Sequence, residues 1–314
     1  MSKQKEELIL RTLNTSDTAL QKEDLSELMD MLTPDDAVIQ RRLQTGKARA
    51  LTHEWNDVSL AASGTWVSGV YADGGIPSDT SHTHTRRSNK IMSIGRVAKA
   101  TGLMRALDNT LNMGGVVYND AFALEFAEKV EDAKRVLEYY ILNGDKDNTS
   151  PQEMDGLLNS TSVTYAVGGA LTQTAMRTAL KRLYSVGGRA TAIYCRPGVA
   201  ATIATFNDNN INFMINGNAS AVTTAGTQTF KYLNPFGGVL DVVTVREDFM
   251  PSGSVLLIDE SKVRLCYLDQ AWTVEDLAQT QDSYSKLIKT YVTLEHRAAS
   301  VSAIKLTGVT DNIS

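Results

Sequence analysis

Histidines, cysteines and clustered carboxylates are the side chains that most often carry chemistry, and this chain holds few arranged for it. It has four histidines, His53, His82, His84 and His296, and two cysteines, Cys195 and Cys266. A strand would put His82 and His84 on one face, where two imidazoles could seat a metal ion. Apart from Asp79, no third ligand stands at a matching local spacing, so the plainer reading is a pair of solvated loop histidines. Each cysteine lies inside an apolar run, ATAIYC or VRLCYL, and their spacing fits no zinc or redox motif. They read as buried thiols in strands, with no disulfide framework. THEW sets His53 beside Glu54, which a strand would point to opposite faces. GDKDNTSPQEMDG has the acidic flavour of a calcium loop. The turn glycine is missing, however, and Gly156 stands where the bidentate glutamate belongs. TGK at Thr45 to Lys47 lacks the upstream glycine of a phosphate loop, and there is no G-x-S-x-G, HExxH or CxxC. No catalytic, cofactor or metal site is expected.

One charged cluster stands out. HTHTRRSNK, His82 to Lys90, is basic in a chain whose formal net charge is -5. Arg86, Arg87 and Lys90 read either as part of a solubilising loop tip or as a contact with an acidic patch on another subunit. The overall acidity argues against a general nucleic-acid binder, which needs a basic field to meet phosphates. No run of apolar residues is long enough for a membrane span, and the first residues lack the apolar stretch of a secretion signal.

The elements that would position these residues follow from periodicity. Residues 1 to 50 are polar and helix-prone, with a candidate helix capped at Asp17 and a shorter one, PDDAVIQRRL, begun by Pro34. They read as an arm that packs on something else. LTHEWNDVSLAAS alternates like a strand, the Gly/Ser/Thr-rich stretch after it buries little, and KIMSIGRVAKATGLMRAL returns to an apolar pattern. Together they suggest an extended two-stranded excursion from a body elsewhere. The most regular segment is DAFALEFAEKVEDAKRVLEYYILNG, a helix capped at Asn119 or Asp120 and ended by Asn143-Gly144. Phe122, Phe126, Val130, Ala133, Leu137, Tyr140 and Ile141 form its apolar stripe. From about residue 160 helices and strands alternate, and one or two long strands close the chain.

This order of pieces resembles the major capsid protein of tailed bacteriophages, the Hong Kong 97-like fold. THEWNDVSLAAS, RRSNKIMSIGRVAKATG, MDGLLN after the long helix, and VLLIDESKVRLCYLDQAWTVEDLAQTQDSYSKLIKTYVTLEHRAASVSAIKLTGV at the end carry the likeness. The resemblance implies an α+β fold: an N-terminal arm at 1–50 and an E-loop at 51–98. A P-domain at 99–161 would contain the spine helix at 120–143, followed by an α/β A-domain at 162–270 and a return to the P-domain at 271–314. It implies a shell protein without cofactors. Its main partner would be itself, as hexamers and pentamers closing an icosahedral head around double-stranded DNA held without sequence-specific binding. Scaffolding, portal and decoration proteins are further implied partners. Its place would be the virion, after assembly in the host bacterial cytoplasm. Lys90 lies in a loop of the kind that cross-links in one relative of this fold, but no partner is identified and cross-linking is not expected. The alternatives are an encapsulin-like nanocompartment shell, a tail or adhesion component, and a soluble α/β enzyme in which His53, Glu54 and His296 meet in space.

Overall fold

The computed structural model describes residues 28–29, 37–59, 70–76, 82–103, 111–113, 116–118, 121–207, 229–279 and 281–311. The expected helix after Asp17, the cap at Asn119 or Asp120 and the polar tract after Asn207 lie outside these residues or at their margins. In chain order the described elements begin with β1 (Leu28–Met29), α1 (Val38–Arg42), β2 (Gln44–Lys47), β3 (Thr52–Ser59), β4 (Thr83–Lys90) and β5 (Met92–Thr101). Two short strands, β6 (Leu111–Met113) and β7 (Val116–Tyr118), lead to the long helix α2 (Ala121–Asn143), which is followed by α3 (Leu157–Ser160) and β8 (Thr164–Ala170). Next come α4 (Gln173–Ser185), β9 (Ala192–Cys195), α5 (Pro197–Asn207), β10 (Thr229–Leu233), β11 (Val239–Thr244), β12 (Ser254–Ile258) and β13 (Val263–Tyr267). The chain closes with β14 (Thr273–Asp276), β15 (Ser283–His296), α6 (Ala299–Ser302) and β16 (Ala303–Thr310).

The strands form two main sheets. One has six strands in the order β10-β11-β9-β12-β16-β8. Its inner strands, AIYC in β9 and VLLI in β12, are buried throughout, as continuous apolar runs require when both faces are covered. Alternate residues of β9 serve two cores. Ile193 and Cys195 pack with Met176, Leu180 and Leu183 of α4 and Ile203 of α5. Ala192 and Tyr194 pack on the opposite side with Leu137 and Ile141 of α2 and Leu265 of β13. The second sheet runs β14-β15-β13-β2, with β5 also paired to β15. Its organising element is β15, whose 14 residues would span roughly 46 Å. Residues Ser283 to Val292 pair with β5, and Val292 to His296 pair with β13.

The long helix has 23 residues, about 34 Å of axis, and lies on the alternating face of β5. Met92 and Ile94 share a core with Leu137 and Ile141, while Ala98 and Ala100 meet Phe122 and Phe126 further along. Ala133, Leu137 and Ile141 of the expected stripe are buried; Phe126, Val130 and Tyr140 are half-buried. Glu125 pairs with Lys129 one turn on, and Glu131 with Lys134. Gly144 does more than stop the helix. A Cβ there would lie 2.3 Å from the Met154 carbonyl, and one at Gly156 would lie 2.6 Å from the Leu142 carbonyl. The returning chain therefore crosses the helix end backbone to backbone, and Gly156 N–H donates to Gly144 O at 2.9 Å.

The arm segment before β3 is held by polar contacts as well as by Ile39 and Leu43 in the core. Buried Glu138 of α2 accepts from the Ile39 and Gln40 amides at 2.6 and 3.0 Å. Arg42 makes a two-pronged contact with Glu260 and a further one with Asp241 at 2.7 Å, and the Tyr194 hydroxyl donates to the same Glu260.

The two sheets exchange strands on either side of residue 270. β13, within the expected 162–270 unit, joins the second sheet through β15 and β2. β16, within the expected 271–314 return, joins the six-stranded sheet between β12 and β8. The reason is the reversal at 297–302, which turns the chain from one sheet into the other within a few residues.

Candidate assembly interface

The excursion at 51–98 divides into a hairpin and a sheet strand. β3 and β4 pair antiparallel from Thr52–Lys90 to Ser59–Thr83 and form a two-stranded sheet of their own. Such a ribbon is marginal without support, and among the described residues polar contacts at its root supply it. His53 Nε2 lies 3.1 Å from Glu295 Oε2. The Ala298 amide donates to Asp57 Oδ1 at 2.9 Å. Buried Asn89 donates to the Leu294 and Asp155 carbonyls and accepts from the Asp155 amide. Alternation decides which side chains do this: His53, Trp55 and Asp57 are half-buried, while Thr52, Glu54, Asn56 and Val58 face solvent.

The three basic candidates are placed by the same register. Arg86, Arg87 and Lys90 sit on the stem and root of the hairpin, not at its tip. Arg86 is opposite Asn56 and forms an ion pair with the diagonal neighbour Glu54. Arg87 is opposite Trp55 and reaches Asp57 at 3.6 Å. Lys90 donates through Nζ to the Lys146 carbonyl at 2.6 Å. The expectation of a basic tip is corrected on this point: each cation already has an intrachain partner, since cross-strand diagonals put Glu54 and Asp57 within reach of the two arginines and Lys90 meets a backbone carbonyl. Residues 70–76, described within the connection between the two strands, expose large apolar side chains instead. Ile76 is 92% exposed and Val70 86%, with Tyr71 also exposed between them. Periodicity could not flag them, since an isolated Val or Ile in a Gly-rich loop carries no pattern; only their exposure makes them notable.

The residues of the enzyme alternative do not converge. Glu54 pairs with Arg86, and His53 with Glu295. His296 is buried, with Nδ1 2.9 Å from Ser160 Oγ and Nε2 2.9 Å from Ser302 Oγ. Burial lowers its pKa to about 4, so it is neutral and fully engaged at physiological pH. A cleft of about 220 Å³ beside the hairpin root is lined by Trp55, Arg87, Asn89, Lys146, Asp155 and His296. The acid in its lining, Asp155, is held by Lys146 at 3.2 Å and has its pKa raised by burial. Both cysteines are buried as expected, and burial pushes each thiol up to about 12. His82 and His84 are exposed, as solvated residues would be.

Among the described residues, a two-sheet body carries a long helix along one strand and a hairpin held at its root. The profile of the SU10 major capsid protein family matches residues 12–310. The chain belongs to that family. This capsid protein has the Hong Kong 97-like fold of phage head proteins. Against the capsid asymmetric unit of cyanophage A-1(L) the TM-score is 0.65 at 13% identity, covering 95% of this chain and 99% of that one. The capsid of a native GTA particle gives 0.61 at 12% identity, covering 94% and 98%. The SrpI encapsulin of Synechococcus elongatus PCC 7942 gives 0.57 at 15% identity, covering 98% and 96%. No curated protein matches the sequence significantly.

Proposed function

We propose that many copies of this major capsid protein close into the icosahedral head of a tailed bacteriophage around double-stranded DNA, built from hexamers and pentamers. The family match over residues 12–310 carries the reading. In it, residues 1–50 act as the arm, the β3–β4 hairpin as the E-loop lying over a neighbouring subunit, α2 as the spine, and the six-stranded sheet with α4 and α5 as the lobe at the capsomer axis. The hairpin supports this division: it has no core of its own and exposes Val70, Tyr71 and Ile76 where a neighbour would cover them. Arg86, Arg87 and Lys90 then form the polar margin of that contact, and Glu54 and Asp57 hold the two arginines until it forms. The net charge of -5 fits a shell that surrounds DNA without gripping it. Catalysis has no part in this role. Scaffolding, portal and decoration proteins would join in the host cytoplasm. The encapsulin-like shell is the second reading, favoured by the similarity to SrpI, and differs in what the particle contains. Electron microscopy of the purified product is the test. Closed shells or capsomer rings are expected, with nucleic acid inside particles from infected cells. A monodisperse monomer at high concentration, or shells filled only with an enzyme, would overturn the phage-head reading.

A further inference from the structure

Three side chains far apart in sequence come together where the hairpin meets the second sheet. His53 Nε2, Cys266 Sγ and a Glu295 carboxylate oxygen all lie within 4.8 Å of one another. The pairing of β13 with β15 sets Arg264 opposite Glu295 and Cys266 opposite Thr293, so Cys266 and Glu295 are diagonal neighbours on one face. The parallel partner of Cys266 on β2 is Gly46, and a Cβ there would sit 2.8 Å from Sγ; glycine leaves the sulfur its place. His53 enters from β3. Sγ is 3.4 Å and Nε2 3.1 Å from the same oxygen, Glu295 Oε2.

The two separations to Oε2 are close to what a metal ion requires, and all three donors lie within 4.8 Å of one another. Tetrahedral zinc with bonds of about 2.0 Å to nitrogen and oxygen and about 2.3 Å to sulfur sets neighbouring donors about 3.3 to 3.5 Å apart. We propose that His53, Cys266 and Glu295 form a site for a thiophilic divalent transition-metal ion, zinc foremost, that clips the root of the hairpin to the second sheet. The donor set selects against magnesium and calcium, which prefer all-oxygen shells. Arg297 occupies the other carboxylate oxygen, Oε1, and so aims Oε2 at the site. The His53 side chain is 16% exposed and offers the way in. With three protein ligands, the fourth position goes to water.

Proton balance follows from the existing hydrogen bonds. Glu295 Oε2 accepts from the thiol of Cys266 and, in the matching tautomer, from Nε2–H of His53. Binding removes the thiol proton to solvent and leaves the imidazole protonated at Nδ1 only, so one proton leaves for each ion bound to neutral His53. A thiolate, a carboxylate and a neutral imidazole balance a divalent ion, while Arg264 and Arg297 are the cations near the sulfur. Affinity therefore rises with pH.

The test uses the full chain, freed of metal by chelator and titrated with cobalt(II). A thiolate-to-cobalt charge-transfer band should grow to one equivalent per chain and vanish on adding zinc. Cys266→Ser should abolish it, Cys195→Ser should leave it intact, and His53→Gln should weaken binding at least tenfold. Should Cys266→Ser fail to fold, alkylation of the unmodified protein decides the matter: zinc should protect Cys266 and leave the labelling of Cys195 unchanged. Zinc should also slow amide exchange in residues 52–59 and 83–90. Cobalt bound without the charge-transfer band, or Cys266 alkylated at the same rate with and without zinc, would refute the site. Because binding is read on the chain itself, this outcome is separate from whether shells form.

Discussion

Replacing Val70 and Ile76 together with serine separates folding from assembly. Both side chains stand in solvent in the single subunit, at 86% and 92% exposure, so folding loses no buried area and the melting curve should shift by no more than surface changes usually cause, about 0.5 kcal/mol. A neighbour lying over the tip would bury them, and full burial of a Val or Ile side chain is worth about 1.5 to 3 kcal/mol. Two such residues give about 3 to 6 kcal/mol per subunit as an upper range. Realising half of that would raise the protein concentration needed for assembly by about tenfold to a hundredfold. The arginines make a useful contrast: exposed ion pairs contribute about 0.2 to 1 kcal/mol each, so Arg86→Ala and Arg87→Ala should do less than the double serine variant. Thermal melting by circular dichroism and sedimentation velocity across a concentration series are the paired assays. A serine variant that melts like the parent but remains as small oligomers is expected. Full-size particles at the parent's yield would remove the tip from the interface, and a large loss of melting temperature would mean that the tip belongs to a core within the subunit.

Further expectations concern the body. Leu137→Ala removes a fully buried side chain of α2 and should cost about 2 to 5 kcal/mol in urea unfolding; a change under about 0.5 kcal/mol would contradict the packing of this helix. Arg42→Ala leaves Glu260 and Asp241 without their shared guanidinium and should destabilise by about 1 to 3 kcal/mol, with protease sensitivity rising around residues 37–47 as the arm segment loosens. His296 has a folded pKa of about 4 against an ordinary value of 6.5, so the unfolded chain binds the extra proton between those values. Its contribution is complete above pH 6.5 and is lost as pH falls toward 4, to a total of about 3 kcal/mol. Glu295, whose folded pKa is lowered, adds a loss of the same sign at more acid pH. Melting series from pH 7 to pH 4 should show this slope in the parent and a flatter one in His296→Gln; equal slopes would mean that other groups carry it.

The individual elements were legible in the sequence because their signals are local. The stripe from Phe122 to Ile141, the glycine after Asn143 and the apolar pattern of KIMSIGRVAKATGLMRAL depend only on neighbours a few residues away, and the helix and strand appear where those patterns stand. The apolar runs around Cys195 and Cys266 likewise foretold buried strands. Which strands pair is a different matter, since the apolar period of a strand says that one face is covered but not by what. No local pattern told β13 to join β15 and β2, or β16 to return to the six-stranded sheet. The basic cluster suffered similarly. Its charge is plain in HTHTRRSNK, but only the register of β3 against β4 puts Glu54 and Asp57 within reach of the arginines and moves them from tip to stem. His53, Cys266 and Glu295 show the limit most clearly. Metal motifs are recognised when ligands share a turn or a hairpin, whereas these three come from three strands, and their meeting depends on a diagonal across β13 and β15, the glycine at 46 and the landing of a hairpin root. Local periodicity is written along the chain; long-range register is settled by which apolar faces find each other, and the side-chain constellations follow from that choice.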